Sequence, residues 1–261
     1  MLSINPDKKT ILITGGNKGI GLAIAEKFAS EGYNVFISAR DEDTLKQVAA
    51  TLRKKYSVYV NYFKCDVTSD SEISSMIANI ASHSSIDVLV NNAGVHETKS
   101  FIDYEFDDFK RVIDTNLYSV FRISKLVVDM MVKSKGGRII NIASTAGKWG
   151  SKNQSAYNAS KHAVVGLTKC MALELANYKI NVNAICPWIV DTEMGSRLLK
   201  DHAKIKKDSV ENLLETLKAS NPLSRLIKPS EVASLAFYLS TEQADAITGQ
   251  SWTVDGGYTM I

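Results

Sequence analysis

Short apolar runs alternate along the chain with longer segments that have the periodicity of helices. Several of these runs are almost continuously apolar and rich in β-branched residues, as is typical of strands covered on both faces. The pattern predicts seven strands, at Thr10–Thr14, Asn34–Ser38, Val60–Lys64, Asp87–Asn91, Arg138–Ala143, Ile180–Ile185 and Ser251–Val254.

The intervals between these runs predict amphipathic helices. In the first interval Ile20, Ile24 and Phe28 recur at four-residue spacing before Gly32, where we expect the helix to end. Strand–helix alternation of this kind predicts an α/β fold: a three-layer, doubly wound parallel sheet, or Rossmann fold, with right-handed crossovers. A later helical segment carries a predicted apolar stripe of Phe109, Val112, Ile113, Leu117, Val120 and Phe121.

One segment breaks this rhythm. The stretch from Asp191 to Leu226 is polar and helical, and it lies between the sixth and seventh predicted strands. An insertion at the carboxyl end of a parallel sheet lies beside the usual ligand crevice, so we interpret residues 191–226 as a helical lid over a substrate. No Pro/Gly/Ser-rich linker or internal repeat divides the rest, which predicts one domain over residues 1–261.

Composition narrows the class of protein. Hydrophobic residues make up 45% and charged residues 23%, and the net charge of +3 is too slight to indicate a nucleic-acid partner. Cys65, Cys170 and Cys186 lack C-x-x-C spacing, which favours reduced thiols in the cytoplasm. The polar N-terminus predicts no signal peptide, and no apolar run approaches the ~20 residues of a membrane span. The four histidines lack metal-ligand spacing, so we assign them no role and expect no metal.

A glycine-rich turn, Thr14–Gly21, connects the first strand to the first helix. Glycines allow the backbone to approach a pyrophosphate closely, and the amide groups of a helix N-terminus attract its charge. A turn needed only for packing is the alternative, but its place between a strand and an amphipathic helix favours dinucleotide binding. The predicted contacts in the turn are Gly15, Asn17, Lys18, Gly19, Ile20 and Gly21.

The end of the second strand bears on the choice of dinucleotide. An NAD enzyme places an acid there for the ribose 2′-hydroxyl, whereas this chain has Ala39 followed by Arg40. A guanidinium suits a 2′-phosphate, and Lys18 adds a second positive charge nearby. A solvated surface role for Arg40 is the alternative. The pattern favours NADPH/NADP⁺.

The spacing of the turn is G-x-x-x-G-x-G, and further motifs follow it in a fixed order: Asp66-Val67, Asn91-Asn92-Ala93-Gly94, Ser144, Tyr157-x-x-x-Lys161, and Pro187 with Thr192. In these motifs the whole chain resembles the short-chain dehydrogenases/reductases. The resemblance implies further cofactor contacts at Asp66, Val67, Asn92, Gly94, Tyr157, Lys161, Pro187, Val190 and Thr192.

Tyr157 and Lys161 are four residues apart in a helical segment, so both side chains project from one face. A phenol titrates near 10, and a cation within ~4–6 Å can lower its pKa by roughly 1–3 units. A phenol tuned in this way could donate a proton to a carbonyl oxygen while hydride reaches the carbon. Alone, such a pair is a common helical pattern; its position after the fifth strand makes it a candidate catalytic pair.

Two more residues complete the predicted catalytic set. Ser144 follows the fifth strand, where its hydroxyl could hydrogen bond the substrate oxygen, and no Gly-x-Ser-x-Gly elbow marks it as an acylating nucleophile. The resemblance places Asn116 in the family's fourth catalytic position, where it holds a water that relays protons through Lys161. From sequence alone Asn116 could equally be a buried helix asparagine.

Within the family the chain is most similar to acyl-carrier-protein ketoreductases, above all those of aromatic polyketide biosynthesis. The similar stretches are Asn141–Lys148, Ser160–Gly166, Pro229–Val232 and the long lid. These relatives have Pro-Gly-Gly after Asn-Asn-Ala-Gly, linked to stereochemical control. Here the run is Val95–Thr98, so the handedness of the product does not carry over. Trp188 replaces a glycine and either walls the pocket or packs against the lid or cofactor.

The resemblance implies an NADPH-dependent reduction of a β-keto group on a (poly)ketoacyl thioester, or of a bulky ketone, by a homotetramer. An acidic acyl carrier protein could dock on Lys200, Lys204, Lys206 and Lys207 of the lid, although a solvated face is the ordinary reading of such a run. Alternatives are a fatty-acid 3-oxoacyl-carrier-protein reductase, a reductase of small free ketones, and a non-catalytic dinucleotide-binding sensor.

Overall fold

The computed structural model describes residues 3–260. Seven parallel strands form one sheet in the order β3-β2-β1-β4-β5-β6-β7, which confirms the predicted doubly wound fold. The strands are β1 (Thr10–Thr14), β2 (Asn34–Ala39), β3 (Val60–Lys64), β4 (Val88–Asn91), β5 (Gly137–Ile142), β6 (Ile180–Pro187) and β7 (Ser251–Val254).

Helices cover both faces of this sheet. They are α1 (Gly19–Ser30), α2 (Glu42–Tyr56), α3 (Asp70–Ala81), α4 (Phe106–Ile113), α5 (Ser119–Lys133), α6 (Ser155–Leu175), α7 (Glu193–Lys206), α8 (Val210–Ala219) and α9 (Pro229–Ser240). Helix α1 ends two residues before Gly32, whose φ of 82° is a left-handed conformation that suits glycine.

Alternation along the central strand explains the two-sided core. In β1, Ile11 and Ile13 belong to one hydrophobic cluster and Leu12 belongs to another, and all three are fully buried. Successive side chains of a strand point to opposite faces, so a continuously apolar strand requires cover on both sides. Phe36 of β2 joins Leu12 in the second cluster, while Ile37 joins the first.

The order of the strands sets the position of the ligand crevice. From β1 the chain proceeds outward through β2 and β3, then returns to place β4 on the other side of β1. Neighbouring crossovers therefore leave β1 and β4 in opposite directions, and a crevice opens between their carboxyl ends. Thr14 and Asn91, the last residues of these strands, border that crevice.

A π-helical turn, Asp114–Tyr118, separates α4 from α5. This turn inserts an extra residue into the helical repeat, so later positions are displaced around the axis relative to a continuous pattern. The predicted apolar stripe is wrong at its end for this reason: Val112 and Val120 are buried, but Phe121 is 57% exposed.

The segment 191–226 between β6 and α9 contains α7 and α8, and its two ends meet. Val190 and Ile227 form an isolated parallel bridge, in which Asp191 donates its amide to Ile227 O at 2.8 Å. A small cluster of Leu199, Ala203 and Leu213 joins the two helices. The segment is therefore a helical pair with a closed base.

Across residues 3–260, no helix is long and apolar enough to cross a membrane. Within the same range, no group of three or more His, Cys, Asp or Glu side chains is arranged to hold a metal ion.

Candidate active site

The glycine turn after β1 is closely packed. A Cβ atom on Gly21 would lie 2.1 Å from Gly15 O, and Gly15 itself has a φ of 65°. Asn92, the residue after β4, donates from Nδ2 to Thr14 O at 2.9 Å and to Gly15 O at 3.1 Å. The predicted contact residue Asn92 thus holds the turn against β4, which brings the turn to the crevice.

The turn leads into the N-terminus of α1, which begins at Gly19. Lys18 is the N-cap residue, and its side chain makes no capping hydrogen bond. The first amide groups of the helix, including those of Ile20 and Gly21, therefore have no partner within the helix or in a cap. Together with the dipole of the helix, they form a site suited to phosphate.

Two polar side chains of the turn have partners outside it. Asn17 donates from Nδ2 to Thr44 Oγ1 at 2.8 Å, which ties the turn to α2. Lys18 Nζ lies 2.7 Å from Glu193 Oε2, and both side chains are exposed. The predicted cationic residue Lys18 is thus paired with the first residue of α7, across the mouth of the crevice.

The carboxyl ends of β2 and β3 lie side by side, because Ala39 pairs with Lys64. Arg40 is exposed there, and Asp66 and the buried Val67 follow β3. Burial acts to raise the pKa of Asp66, but hydrogen bonds from Thr68 and the charge of Arg40 outweigh it and lower the pKa. The glycine turn, the uncapped helix and the free surface of Arg40 fit a dinucleotide that carries a 2′-phosphate.

The predicted catalytic side chains come together between β5 and α6. Ser144 lies just beyond β5, close enough to the hydroxyl of Tyr157 on α6 for its side chain to act on the pKa of that phenol. Lys161 is one turn further along α6, with Nζ 5.7 Å from the centre of the Tyr157 ring. Gly147 allows the turn after β5 to lie close to the backbone of α6, since a Cβ on Gly147 would lie 2.7 Å from Lys161 O.

The pKa of Tyr157 departs from the predicted direction. Burial raises the pKa above the ordinary value of 10.0, and the nearby Ser144 side chain, which acts to lower it, does not offset this increase. The ammonium of Lys161 does not outweigh burial either: its Nζ lies 5.7 Å from the ring centre and donates to Ile142 O at 2.8 Å. The prediction of a phenol made acidic by Lys161 is therefore wrong for these residues, and Tyr157 is a protonated phenol at neutral pH.

Lys161 is itself perturbed. Its side chain is only 5% exposed, and burial lowers its pKa to about 8. Gly94, at the start of the loop after β4, borders it: a Cβ on Gly94 would lie 3.8 Å from Lys161 Nζ and 3.2 Å from Asn116 Oδ1. A buried ammonium group with a pKa near 8 retains its charge at neutral pH.

Asn116 lies in the π-helical turn and is buried. Its Oδ1 accepts from Val95 N at 2.8 Å, and its Nδ2 donates to Val95 O at 2.9 Å and to Ser160 Oγ at 3.1 Å. The amide thus holds the loop after β4 against α6. This geometry favours the buried-asparagine reading for the side chain; the water relay stays a prediction. π-turns recur at functional sites.

The carboxyl end of β6 borders the crevice next to Ser144. Pro187 O lies 3.5 Å from Ser144 Oγ. Trp188 is 8% exposed and stacks on Tyr258, with ring centres 4.8 Å apart. Trp188 therefore packs into the core against the C-terminal turn.

Val190 and Thr192 connect β6 to α7. Val190 is buried and belongs to the bridge with Ile227. Thr192 caps α7 by accepting from Gly195 N at 3.1 Å. A Cβ on Gly19 would lie 3.3 Å from Thr192 Cγ2, so the start of α7 rests against the glycine turn.

Sequence reasoning missed one residue of this crevice. His96, to which we assigned no role, packs edge-on against Tyr157 with ring centres 4.6 Å apart. The signal that could have found it is its position two residues after Asn-Asn-Ala-Gly, beyond the carboxyl end of β4.

Comparison with known proteins agrees with this arrangement. A family model described as "Enoyl-(Acyl carrier protein) reductase" matches residues 15–259. The "Putative ketoacyl reductase" of Streptomyces coelicolor is 39% identical over 254 residues, which are 96% of this chain and 97% of that protein. The chain belongs to the short-chain dehydrogenase/reductase family. The predicted resemblance is thereby confirmed.

Other members of the family are almost as similar. The "D-beta-hydroxybutyrate dehydrogenase" of Rhizobium meliloti is 38% identical over 254 residues, 96% of this chain and 98% of that protein. Among solved structures, a variant of actinorhodin polyketide ketoreductase with NADPH superposes with a TM-score of 0.94, at 39% identity and over 98% of both chains. Family membership establishes an oxidoreductase scaffold and leaves the substrate to be argued from the site.

Proposed function

We propose that this member of the short-chain dehydrogenase/reductase family is an NADPH-dependent ketoreductase. It reduces the β-keto group of a (poly)ketoacyl thioester or a bulky ketone. The observation that carries the proposal is the constellation of Ser144, Tyr157 and Lys161 in a crevice shared with the glycine turn and Arg40.

When bound, NADPH supplies the hydride that ketone reduction requires. Tyr157, protonated at neutral pH, donates the proton to the substrate oxygen. Ser144 hydrogen bonds the same oxygen while negative charge develops there. The ammonium of Lys161 stabilises the phenolate that the transfer leaves behind, and Asn116 keeps the loop after β4 in register with α6.

The 2′-phosphorylated cofactor is supported by the end of β2. No acid stands there, and Arg40 presents an exposed guanidinium suited to phosphate. Lys18 could add a second contact once it exchanges Glu193 for phosphate, because exposed ion pairs are weak and exchange readily. The solved ketoreductase that resembles this chain contains NADPH.

A carrier-bound substrate is supported by the relatives named as ketoacyl reductases and by charge on α7. Lys200, Lys204, Lys206 and Lys207 are all exposed, which leaves them available to an acidic acyl carrier protein. Replacing Lys200 and Lys204 by glutamate should impair reduction of a carrier-bound ketone and spare a small free ketone. Lys46→Glu and Lys54→Glu on α2 form the matched control. Equal loss on both substrates, or on neither, would remove the docking site.

The function is tested by NADPH oxidation over a panel of ketones. The panel contains β-ketoacyl chains of increasing length on a carrier protein, the same chains as simple thioesters, and trans-1-decalone. We expect turnover with β-ketoacyl thioesters or with the decalone. Turnover with short-chain acyl carriers alone would favour a fatty-acid reductase. The absence of any NADPH oxidation would refute a ketoreductase.

A homotetramer remains a proposal. Apolar side chains are exposed on the helices that follow β4 and β5, where Phe121 is 57% and Leu173 is 82% exposed. Exposed apolar patches of this kind mark interaction surfaces. Light scattering should give a mass four times that of the chain, and Leu173→Glu should lower it. A cytoplasmic location also stays a prediction, supported by the three free cysteines.

A further inference from the structure

The start of α7 brings a carboxylate to the glycine turn. Thr192 caps α7, and its Cγ2 lies where a Cβ on Gly19 would come within 3.3 Å of it. Glu193 follows as the first residue of the helix. The N-terminus of α1 begins at the same Gly19, and its amide groups favour a phosphate. A carboxylate placed beside an anion site opposes the anion that the site is built to bind.

Lys18 holds that carboxylate in place. Its Nζ donates to Glu193 Oε2 at 2.7 Å, in an ion pair whose two side chains are both largely exposed. The hydrogen bond and the charge of Lys18 lower the pKa of Glu193, so the carboxylate is ionised at neutral pH. The ammonium of the glycine turn is therefore occupied by an anion that belongs to the protein itself.

The turn that carries Lys18 is joined to the segment that carries Arg40. Asn17, the residue before Lys18, donates from Nδ2 to Thr44 Oγ1 at 2.8 Å. Thr44 N in turn donates to Oδ1 of Asp41 at 3.2 Å, and Asp41 directly follows Arg40. The ammonium and the guanidinium thus belong to adjoining segments at one edge of the crevice, where two cations suit a doubly charged phosphate.

We propose that Glu193 tunes the choice between the nicotinamide cofactors by competing with the 2′-phosphate of NADPH for Lys18. The inference rests on the proposed NADPH-dependent function and adds a residue of α7 to its cofactor site. A 2′-phosphate must displace the carboxylate, because two anions at one ammonium repel each other. NADH carries a neutral hydroxyl at that position and leaves the ion pair intact. Glu193 therefore weakens the binding of NADPH and not that of NADH.

Calorimetry of the two cofactors tests this competition. Glu193→Gln keeps the shape of the side chain and removes its charge. An exposed ion pair corresponds to at most about 5-fold in a binding constant, so we expect the Kd of NADPH to fall about 3–5-fold and the Kd of NADH to stay unchanged. Glu211→Gln is the matched control, since it removes the same charge from the first turn of α8. It should leave both Kd values as in the wild type.

A double variant separates competition for Lys18 from general repulsion. Lys18→Met alone should weaken NADPH binding. In that background Glu193→Gln should change the Kd of NADPH by less than about 1.5-fold, because no ammonium is left to compete for. In the parent protein the gain from Glu193→Gln should disappear in about 1 M KCl, where the screening length is about 3 Å. An equal gain with and without Lys18, or a gain that survives this salt, would overturn the proposal.

Other outcomes of the calorimetry are equally decisive. An unchanged or higher Kd of NADPH in Glu193→Gln overturns the competition, and so does an equal gain for NADPH and NADH, which would place the carboxylate beside the pyrophosphate. Failure of the proposed function is distinguishable from these results. If the wild type binds no NADPH, function and competition fall together. If NADPH binds with the expected difference but no ketone is reduced, the competition stands and the ketoreductase function falls.

Discussion

Lys161 lies over the ring of Tyr157, with its Nζ 5.7 Å from the ring centre and hydrogen bonded to Ile142 O. The ammonium therefore acts on the phenol through space and not through a direct bond. Its position is costly for the fold, because a charged group is removed from water and receives one carbonyl in return. The arrangement serves chemistry at the expense of stability.

Replacement of Lys161 by methionine should raise the free energy of unfolding, because it removes the buried charge. The folded-state pKa of Lys161 is about 8, below the ordinary 10.5. Below pH 8 the lysine is charged in both states, so the penalty of burying the charge is complete. Between about 8 and 10.5 the folded protein releases its proton first, and wild-type stability rises with pH. We expect Lys161→Met to gain roughly 1–3 kcal/mol at neutral pH and to lose turnover.

Urea denaturation at neutral and alkaline pH measures this effect. The stability gap between Lys161→Met and wild type should narrow as the pH rises through that window. Lys169→Met, on the exposed surface of the same helix, provides the control and should show no pH-dependent gap. A variant less stable than wild type at neutral pH would contradict the assigned burial penalty.

Tyr157→Phe should abolish reduction while it leaves the cofactor site folded. The phenol is the proton donor, and removal of a positioned general acid lowers the rate by about 10²–10⁴-fold. Calorimetry should still detect NADPH binding, since the glycine turn and Arg40 are untouched. Tyr178→Phe, at an exposed position after α6, should behave as wild type. Retained turnover in Tyr157→Phe would refute the proton-donor role.

Arg40→Asp should reverse the preference between the two nicotinamide cofactors. The new carboxylate repels a 2′-phosphate and can accept a hydrogen bond from a 2′-hydroxyl. Loss of a charge-assisted contact corresponds to about 10–100-fold in the NADPH/NADH ratio of kcat/KM. Lys54→Asp makes the same change of charge on α2 and should leave the ratio unaltered. An unchanged ratio in Arg40→Asp would place the phosphate elsewhere.

Gly21→Ala should disrupt the glycine turn. The added Cβ would lie 2.1 Å from Gly15 O and 2.5 Å from Asn92 Nδ2, so both the turn and its link to β4 must move. We expect a loss of more than about 2 kcal/mol and of NADPH binding. Gly166→Ala on α6 is the matched control: no atom lies within 4 Å of its Cβ, and alanine should stabilise the helix by about 0.5–1 kcal/mol. Thermal unfolding with and without NADPH separates the two outcomes.

The fold was largely predictable because its signal is local. A buried parallel strand must be apolar on both faces, and seven such runs identify the sheet. Strands β2 and β6 end one and two residues later than predicted, β4 begins one residue later, and β5 is shifted by one residue towards the N-terminus. The π-helical turn at Asp114–Tyr118 was not predictable, since tertiary contacts of Asn116 stabilise it. The burial of Phe121 was predicted wrongly for the same reason.

The site was predictable in its parts and less so in its electrostatics. Motif order identified Ser144, Tyr157 and Lys161, and the structure places them together. The pKa of Tyr157 depends on burial by distant segments and on the direction of the Lys161 side chain, neither of which the motif encodes. His96 escaped notice because a lone histidine has no spacing to interpret, and the residue that it packs against, Tyr157, is remote in sequence.

The bridge between Val190 and Ile227 has a consequence for how the enzyme can diverge. Because these two residues are neighbours in space, the 36 positions between them form a loop whose ends are already closed. Doubling the length of such a loop costs only about 0.6 kcal/mol in chain entropy. Residues 191–226 can therefore be replaced during evolution by a segment of another size or polarity while the strands of the sheet keep their register. New substrates then become accessible without a change in the rest of the fold.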